Sequence, residues 1–117
     1  MHAQIYHNPR CSKSRETLQL LIDNDVSVEI IDYQLDPPSV ARLRELTAKL
    51  GRPAKSLLRF QEDIATELQL SPDDNRSEDE WLTLLSRHPR LIERPIVVIG
   101  ERAVLGRPPE NVLALLA

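Results

Sequence analysis

Residues 3 to 32 read AQIYHNPRCSKSRETLQLLIDNDVSVEIID, and this stretch determines how the fold begins. Residues 3–7 predict a short strand, and Pro9 then favours a loop because it lacks an N–H and restricts the residue before it. A helix is predicted from Ser12, since apolar residues follow it at helical spacing. Residues 28–32 are rich in β-branched side chains and predict a second strand. This order favours a parallel pair of strands joined by a crossover helix.

The middle of the chain predicts helices instead of strands. Pro37-Pro38-Ser39 favours the start of a helix, and Gly51 is a natural residue to end it. Shorter helical segments are predicted after Pro53 and near residues 62–68. Ser77 and Glu80 then match a capping box at the start of another helix. We therefore predict a helical insertion after the opening β-α-β unit.

The last part of the chain returns to strands. Residues 96–99 (IVVI) form a continuous apolar run, which is typical of a strand buried on both faces. Gly100-Glu101 predicts a hairpin turn, and residues 102–105 predict its second arm. A final helix is predicted after Pro108-Pro109, with Val112, Leu113, Leu115 and Leu116 as its apolar residues. The whole order predicts an α/β fold, a mixed sheet with a helical insertion between its halves.

Composition restricts the class of protein. The 117 residues fit a single domain spanning residues 1–117, and 41% of them are hydrophobic. The formal net charge of -3 argues against sequence-independent nucleic-acid binding, which needs a positive face. No apolar run is long enough to span a membrane, and the first residues lack the apolar stretch of a signal peptide. We expect a monomer in the cytoplasm that binds neither nucleic acid nor membrane.

Cys11 is the residue most suggestive of chemistry. It is the single cysteine, so the chain forms no internal disulfide and no cysteine-rich zinc site. It precedes the predicted helix, whose free N–H groups stabilise a thiolate, the reactive form of the thiol. Arg10, Lys13 and Arg15 add positive charge, as His7 does when protonated. The segment thus combines a nucleophile with an oxyanion site; the alternative is a half-buried thiol among solvated basic residues.

Three arginines in other segments are candidates for the same site. Arg59, Arg94 and Arg107 each end an apolar segment or precede one. Guanidinium suits a tetrahedral oxyanion because its planar fork donates two parallel hydrogen bonds, although any one of these arginines could instead be a surface ion-pair partner. Arg94 precedes Pro95, and an X-Pro bond there can be cis. Tyr33 is predicted to pack against other residues and not to bind a ligand.

The chain resembles a known family at four ordered places. IYHNPRCSKSRETL at 5–18 is similar to the active-site segment of the glutaredoxin-coupled arsenate reductases, close to the arsenate reductase-like subgroup. LLR at 57–59, ERPIVVI at 93–99 and GRPPENVL at 106–113 resemble three further motifs of that family. The resemblance implies a thioredoxin-like fold, which agrees with the predicted order of elements.

The resemblance also implies roles for particular residues. Cys11 matches the family's catalytic cysteine, and His7 matches a histidine that helps to lower the thiol pKa. Arg59, Arg94 and Arg107 match the three arginines that bind arsenate and its reduced product, and Pro95 matches a cis proline. Asn8 and Arg15, which lie in the first motif, are taken with them as candidate substrate-binding residues.

The implied mechanism begins when the Cys11 thiolate attacks arsenate and displaces water, which leaves a covalent adduct. Glutathione then adds to arsenic as a co-substrate, glutaredoxin attacks the glutathionyl sulfur, and arsenite leaves after hydrolysis. A chain with no second cysteine needs such external thiols to complete the cycle. The scheme needs no metal and no bound organic cofactor.

Two alternatives remain open, and one motif is excluded. The best-known members of the family have Cys-Gly-Thr-Ser-Arg, whereas Ser12 and Lys13 make this loop bulkier and more basic, so another glutathione-linked thiol oxidoreductase is one alternative. The other is a non-catalytic transcriptional adaptor like the Spx regulators, although Ser14 replaces the second cysteine of their CxxC switch. The phosphatase loop CxxxxxR does not fit, because CSKSR is too short.

Overall fold

Four strands form one mixed sheet in the computed structural model, which describes residues 1–117. The strands are β1 (His2–His7), β2 (Ser27–Asp32), β3 (Ile96–Ile99) and β4 (Arg102–Leu105), and they lie in the order β2-β1-β3-β4. β1 pairs with β2 in parallel, whereas β1 with β3 and β3 with β4 are antiparallel. The predicted parallel pair, the hairpin and the mixed sheet are confirmed.

Helix α1 (Ser12–Asp23) connects the two parallel strands and covers one face of the sheet. Leu21 lies on its buried side, as the helical spacing predicts, whereas Ile22 of the same apolar pattern is exposed. Val97 of β3 is fully buried, as expected for an interior strand. The buried cluster around these two residues contains Ala3, Ile5, Leu21, Val26, Val97, Val112 and Leu115.

The C-terminal segment differs from the prediction. Residues Pro109–Leu115 form a 3-10 helix, not an α-helix. A 3-10 helix has three residues per turn, so it places residues three apart on one side. Val112 and Leu115 are accordingly buried, whereas Leu113 is exposed.

The helical insertion is confirmed, and it comprises α2 (Val40–Leu50), α3 (Asp63–Glu67), α4 (Glu78–Arg87) and the 3-10 turns Ala54–Leu57 and Pro89–Leu91. Local capping explains where the longer helices begin and end. Ser39 accepts a hydrogen bond from the Arg42 N–H, and Gly51 ends α2 with a φ of 67°. Ser77 and Glu80 form the predicted capping box of α4.

The chain divides into two compact units. One contains the sheet and comprises Met1–Asp36 and Arg94–Ala117, and the other is the insertion Pro37–Glu93. Inside the insertion, the rings of Phe60 and Trp81 pack edge to face, with their centroids 6.0 Å apart. That the chain forms a single domain stays a prediction. None of the helices has both the length and the apolar character needed to cross a bilayer.

Candidate active site

The loop between β1 and α1 is held by its own polar groups. The Asn8 carbonyl accepts a hydrogen bond from the Cys11 N–H at 3.0 Å, and Asn8 Oδ1 accepts from the Arg10 N–H at 3.0 Å. Arg15 Nη1 donates to the Pro9 carbonyl at 2.9 Å. Asn8 and Arg15, two of the predicted substrate-binding residues, therefore shape the loop, and their contact with an anion stays a prediction.

Ser14 is the main residue that the sequence reasoning missed. Its side chain is fully buried, and its Oγ lies 2.6 Å from His7 Nδ1. The same Oγ accepts a hydrogen bond from the Asn8 N–H at 3.0 Å. Ser14 therefore ties the end of β1 and the start of the loop to the first turn of α1. The available signal was its place three residues after Cys11, where a side chain faces back toward the strand.

His7 is nearly buried, with 7% of its surface exposed. Burial lowers the pKa of His7 below its ordinary value; the Asp32 carboxylate opposes this change, and the Arg15 guanidinium adds to it. His7 is therefore mainly neutral at neutral pH. It adds little of the positive charge near Cys11 that the sequence analysis expected from its protonated form. Its contact with Ser14 is a positioning contact, and its catalytic role stays a prediction.

Cys11 occupies the N-cap position of α1, with extended backbone angles. The thiol is free and partly exposed. The sulfur completes no capping hydrogen bond, but the N–H groups of Ser14 and Lys13 lie close enough to affect its pKa. This is the helix N-terminus that the sequence predicted, and its backbone N–H groups favour the thiolate.

The pKa of Cys11 is lower than that of an ordinary thiol. Burial alone raises the pKa. The backbone N–H of Ser14, the side chain of Arg94, the backbone N–H of Lys13 and the side chain of Arg107 each lower it, and together they outweigh burial. Hydrogen-bond donors favour the anionic form, so the site stabilises a thiolate and is suited to nucleophilic attack.

Arg94 and Arg107 reach Cys11 because of the sheet register. Ile96 of β3 pairs with both Tyr6 of β1 and Leu105 of β4. Arg94, just before β3, and Arg107, just after β4, therefore lie at the same sheet edge as the end of β1. Arg107 Nη1 approaches Cys11 Sγ at 3.7 Å and donates to the Arg94 carbonyl at 3.2 Å.

Both arginines are followed by cis prolines. The Arg94–Pro95 bond is cis, as predicted, and the Arg107–Pro108 bond is also cis, which the sequence did not predict. The two loops are joined by a hydrogen bond from the Gly106 N–H to the Pro95 carbonyl at 2.9 Å. The two loops that carry Arg94 and Arg107 are thus joined to each other beside the Cys11 thiol.

Arg59 belongs to the helical unit and is engaged there by two carboxylates. Its Nη1 lies 2.6 Å from Glu93 Oε1, and its Nη2 lies 3.5 Å from Glu62 Oε2. Burial tends to lower the pKa of Arg59, but Glu93 and Glu62 outweigh it, and the net pKa is raised. The predicted role of Arg59 in anion binding stays a prediction. No group of three or more His, Cys, Asp or Glu side chains is arranged to hold a metal ion.

Comparison with known proteins shows full-length similarity. The ArsC family model matches residues 6–115. An arsenate reductase from Haemophilus influenzae is 42% identical and covers 99% of this chain and 100% of its own length. The uncharacterised protein YfgD of Escherichia coli K12 is 47% identical, over 97% of this chain and 95% of its own.

A solved structure agrees with these sequence matches. The arsenate reductase from Vibrio cholerae superposes with a TM-score of 0.92 at 44% identity, and the match covers 97% of each chain. The predicted family resemblance and the thioredoxin-like fold class are confirmed.

Proposed function

Since this chain belongs to the ArsC family, we propose that it is an oxidoreductase that reduces arsenate to arsenite with Cys11 as the nucleophile. The observation that carries the proposal is the set of donors around the sulfur. Arg107 Nη1 lies 3.7 Å from Cys11 Sγ, and Arg94 and the Ser14 N–H also lower the thiol pKa. The relatives named arsenate reductase support the choice of substrate.

The first step is attack of the Cys11 thiolate on the arsenic of arsenate. One As–O bond breaks as the As–S bond forms, and the departing oxygen leaves as water after taking up protons. The guanidinium groups of Arg94 and Arg107 balance the negative charge of the oxyanion next to the thiolate. Without these cations, two anions would repel each other at the distance of reaction.

Two thiols outside the chain supply the electrons. The thiol of glutathione replaces a second oxygen on arsenic, again with loss of water. A glutaredoxin thiolate then attacks the glutathionyl sulfur, and the pair of electrons of the As–S bond stays on arsenic, which is reduced to As(III). Hydrolysis of the remaining bond to Cys11 releases arsenite. The mixed disulfide leaves with glutaredoxin, so no metal or resident organic cofactor is required.

The single cysteine supports the external origin of the electrons. With Cys11 as the only thiol, the chain cannot form an internal disulfide that would complete the cycle. Reduced glutathione is abundant in reducing compartments, so we propose that the protein works in the cytoplasm.

The test is a coupled assay of arsenite production with arsenate, glutathione, glutaredoxin and its reductase. We expect turnover in the wild type and none in Cys11→Ser. Arg107→Ala should lower kcat/KM by about 100-fold, the cost of one charge-assisted contact in the transition state. Arg102→Ala is the matched control, because Arg102 is an exposed arginine whose side chain donates to the Ala114 carbonyl.

Three outcomes separate the possibilities. Turnover that requires both thiols supports the whole scheme, whereas turnover with glutathione alone contradicts the role of glutaredoxin. No turnover in a wild type whose Cys11 is alkylated rapidly at neutral pH would refute arsenate as the substrate and leave a thiol enzyme with another one. Equal loss in Arg107→Ala and Arg102→Ala would refute the assigned role of Arg107.

A further inference from the structure

Tyr33 lies at the same sheet edge as the candidate active site, although the sequence assigned it only to packing. The parallel register pairs His7 with Asp32, the last residues of β1 and β2. Tyr33 and Asn8 are the next residues on each strand, so they leave the sheet side by side. Asn8 begins the loop that carries Cys11. Tyr33 is therefore one strand away from the start of that loop.

The hydroxyl of Tyr33 is buried and has no hydrogen-bond partner. The residue is 1% exposed, and its Oη completes no hydrogen bond with any group of the protein. The side-chain amides of Asn8 and Gln34 approach the phenol closely enough to lower its pKa. Buried hydroxyls are almost always paired, because an unpaired one loses its hydration without compensation. An unpaired donor beside a site calls for a partner that binds there.

Charges around the phenol show which chemistry the partner has. Burial raises the pKa of Tyr33, the Arg94 guanidinium lowers it, and the Cys11 thiolate raises it. The hydroxyl thus lies within electrostatic reach of both the cation and the nucleophile of the site. Because the net pKa is raised, Tyr33 keeps its proton at neutral pH and can donate it in a hydrogen bond.

We propose that Tyr33 donates a hydrogen bond from its hydroxyl to an oxygen of the oxyanion bound between Cys11 and Arg94. This inference rests on the proposed function and adds a neutral donor to its two arginines. A neutral donor suits this place because it binds an anion without adding charge that would lower the nucleophilicity of the thiolate. Tyr33 is then a substrate-binding residue of the site.

The test uses Tyr33→Phe, which removes the hydroxyl and keeps the ring. Alkylation of Cys11 by iodoacetamide is followed with increasing arsenate or phosphate, and the anion concentration that halves the rate is recorded. In Tyr33→Phe this concentration should rise about tenfold, because a hydrogen bond to a charged group is lost. The alkylation rate without anion should stay unchanged. Tyr6→Phe is the matched control, since Tyr6 is the only other tyrosine and is also buried.

A second measurement separates binding from packing. Urea unfolding of Tyr33→Phe should give a midpoint equal to that of the wild type or higher, because the removed hydroxyl has no partner in the free protein. A lower midpoint together with a changed alkylation rate in the absence of anion would overturn the proposal and make Tyr33 structural. Unchanged protection by both anions would overturn it as well.

The proposed function can fail separately from this inference. If the wild type turns over no arsenate but phosphate protects Cys11, arsenate reduction fails and the protection data still decide the role of Tyr33. If arsenate is turned over and Tyr33→Phe keeps the wild-type KM and protection, the inference fails and the function stands. If no oxyanion protects the wild type, both are refuted.

Discussion

Ser14→Ala tests whether the buried hydroxyl of Ser14 holds the active-site loop in place. The Ser14 Oγ lies 2.6 Å from His7 Nδ1 and accepts the Asn8 N–H at 3.0 Å. Alanine leaves both groups without a partner. A buried polar group that loses its partner costs about 1–3 kcal/mol of the free energy of unfolding. The Asn8 N–H is only partly buried, so water can reach it and its cost is at the lower end.

The expected loss in the free energy of unfolding is about 2–4 kcal/mol for the two groups together. Alanine is a better helix former than serine, which offsets about 0.5 kcal/mol of this loss. Small domains have total stabilities of about 5–15 kcal/mol, so the effect is large and easily measured. The assay is equilibrium unfolding in urea, with the m-value expected to stay constant.

Ser12→Ala is the matched control for this measurement. Ser12 is the exposed first residue of α1, so Ser12→Ala makes the same chemical change in the same helix. The free energy of unfolding of Ser12→Ala should stay within about 0.5 kcal/mol of that of the wild type. If Ser14→Ala loses no more than Ser12→Ala, the hydrogen bonds of Ser14 do not stabilise the fold, and the reasoning about the loop is wrong.

Three further predictions concern packing and titration. Gly106→Ala should cost about 1–3 kcal/mol in urea unfolding, because a Cβ there would overlap the Thr17 side chain; a neutral result would contradict the close approach. Folding lowers the pKa of His7, so below about pH 6.5 the unfolded chain binds more protons than the folded protein. The free energy of unfolding should therefore fall as the pH falls through that range. His7→Asn should reduce this dependence, and a slope equal to that of the wild type would refute it. The alkylation rate of Cys11 should reach half its maximum below pH 9.0, the pKa of an unperturbed thiol, and a higher midpoint would contradict the donor set.

Local rules explain most of what the sequence predicted about the fold. The capping box of Ser77 and Glu80 and the helix end at Gly51 depend on residues within one turn of the chain, so pattern reasoning located them. The apolar run of β3 likewise predicts an interior strand by composition alone. At the C-terminal segment this approach predicted a helix but not its 3-10 type, because α- and 3-10 helices share apolar positions at i and i+3.

The candidate site also has one part that follows from local sequence and another that depends on the tertiary structure. Cys11 at a helix N-terminus follows from a strand, a proline and a helix that are adjacent in sequence, so its activation could be predicted. The sequence offered Arg94 and Arg107 as candidate anion ligands from their guanidinium chemistry, and the resemblance implied the same roles. Their nearness to the sulfur depends on the pairing of β3 with both β1 and β4, which joins segments far apart in the chain.

By itself, the sequence determined the order of the elements, the position of Cys11 at the start of a helix and the family motifs, because each is written in neighbouring residues. Only the tertiary structure decided that His7 is mainly neutral, that Ser14 ties the loop to β1, and that Tyr33 has an unpaired hydroxyl at the site. All three depend on burial. Burial fixes how much a charge or an unpaired polar group costs, and it is a property of packing between distant segments, not of the local chain.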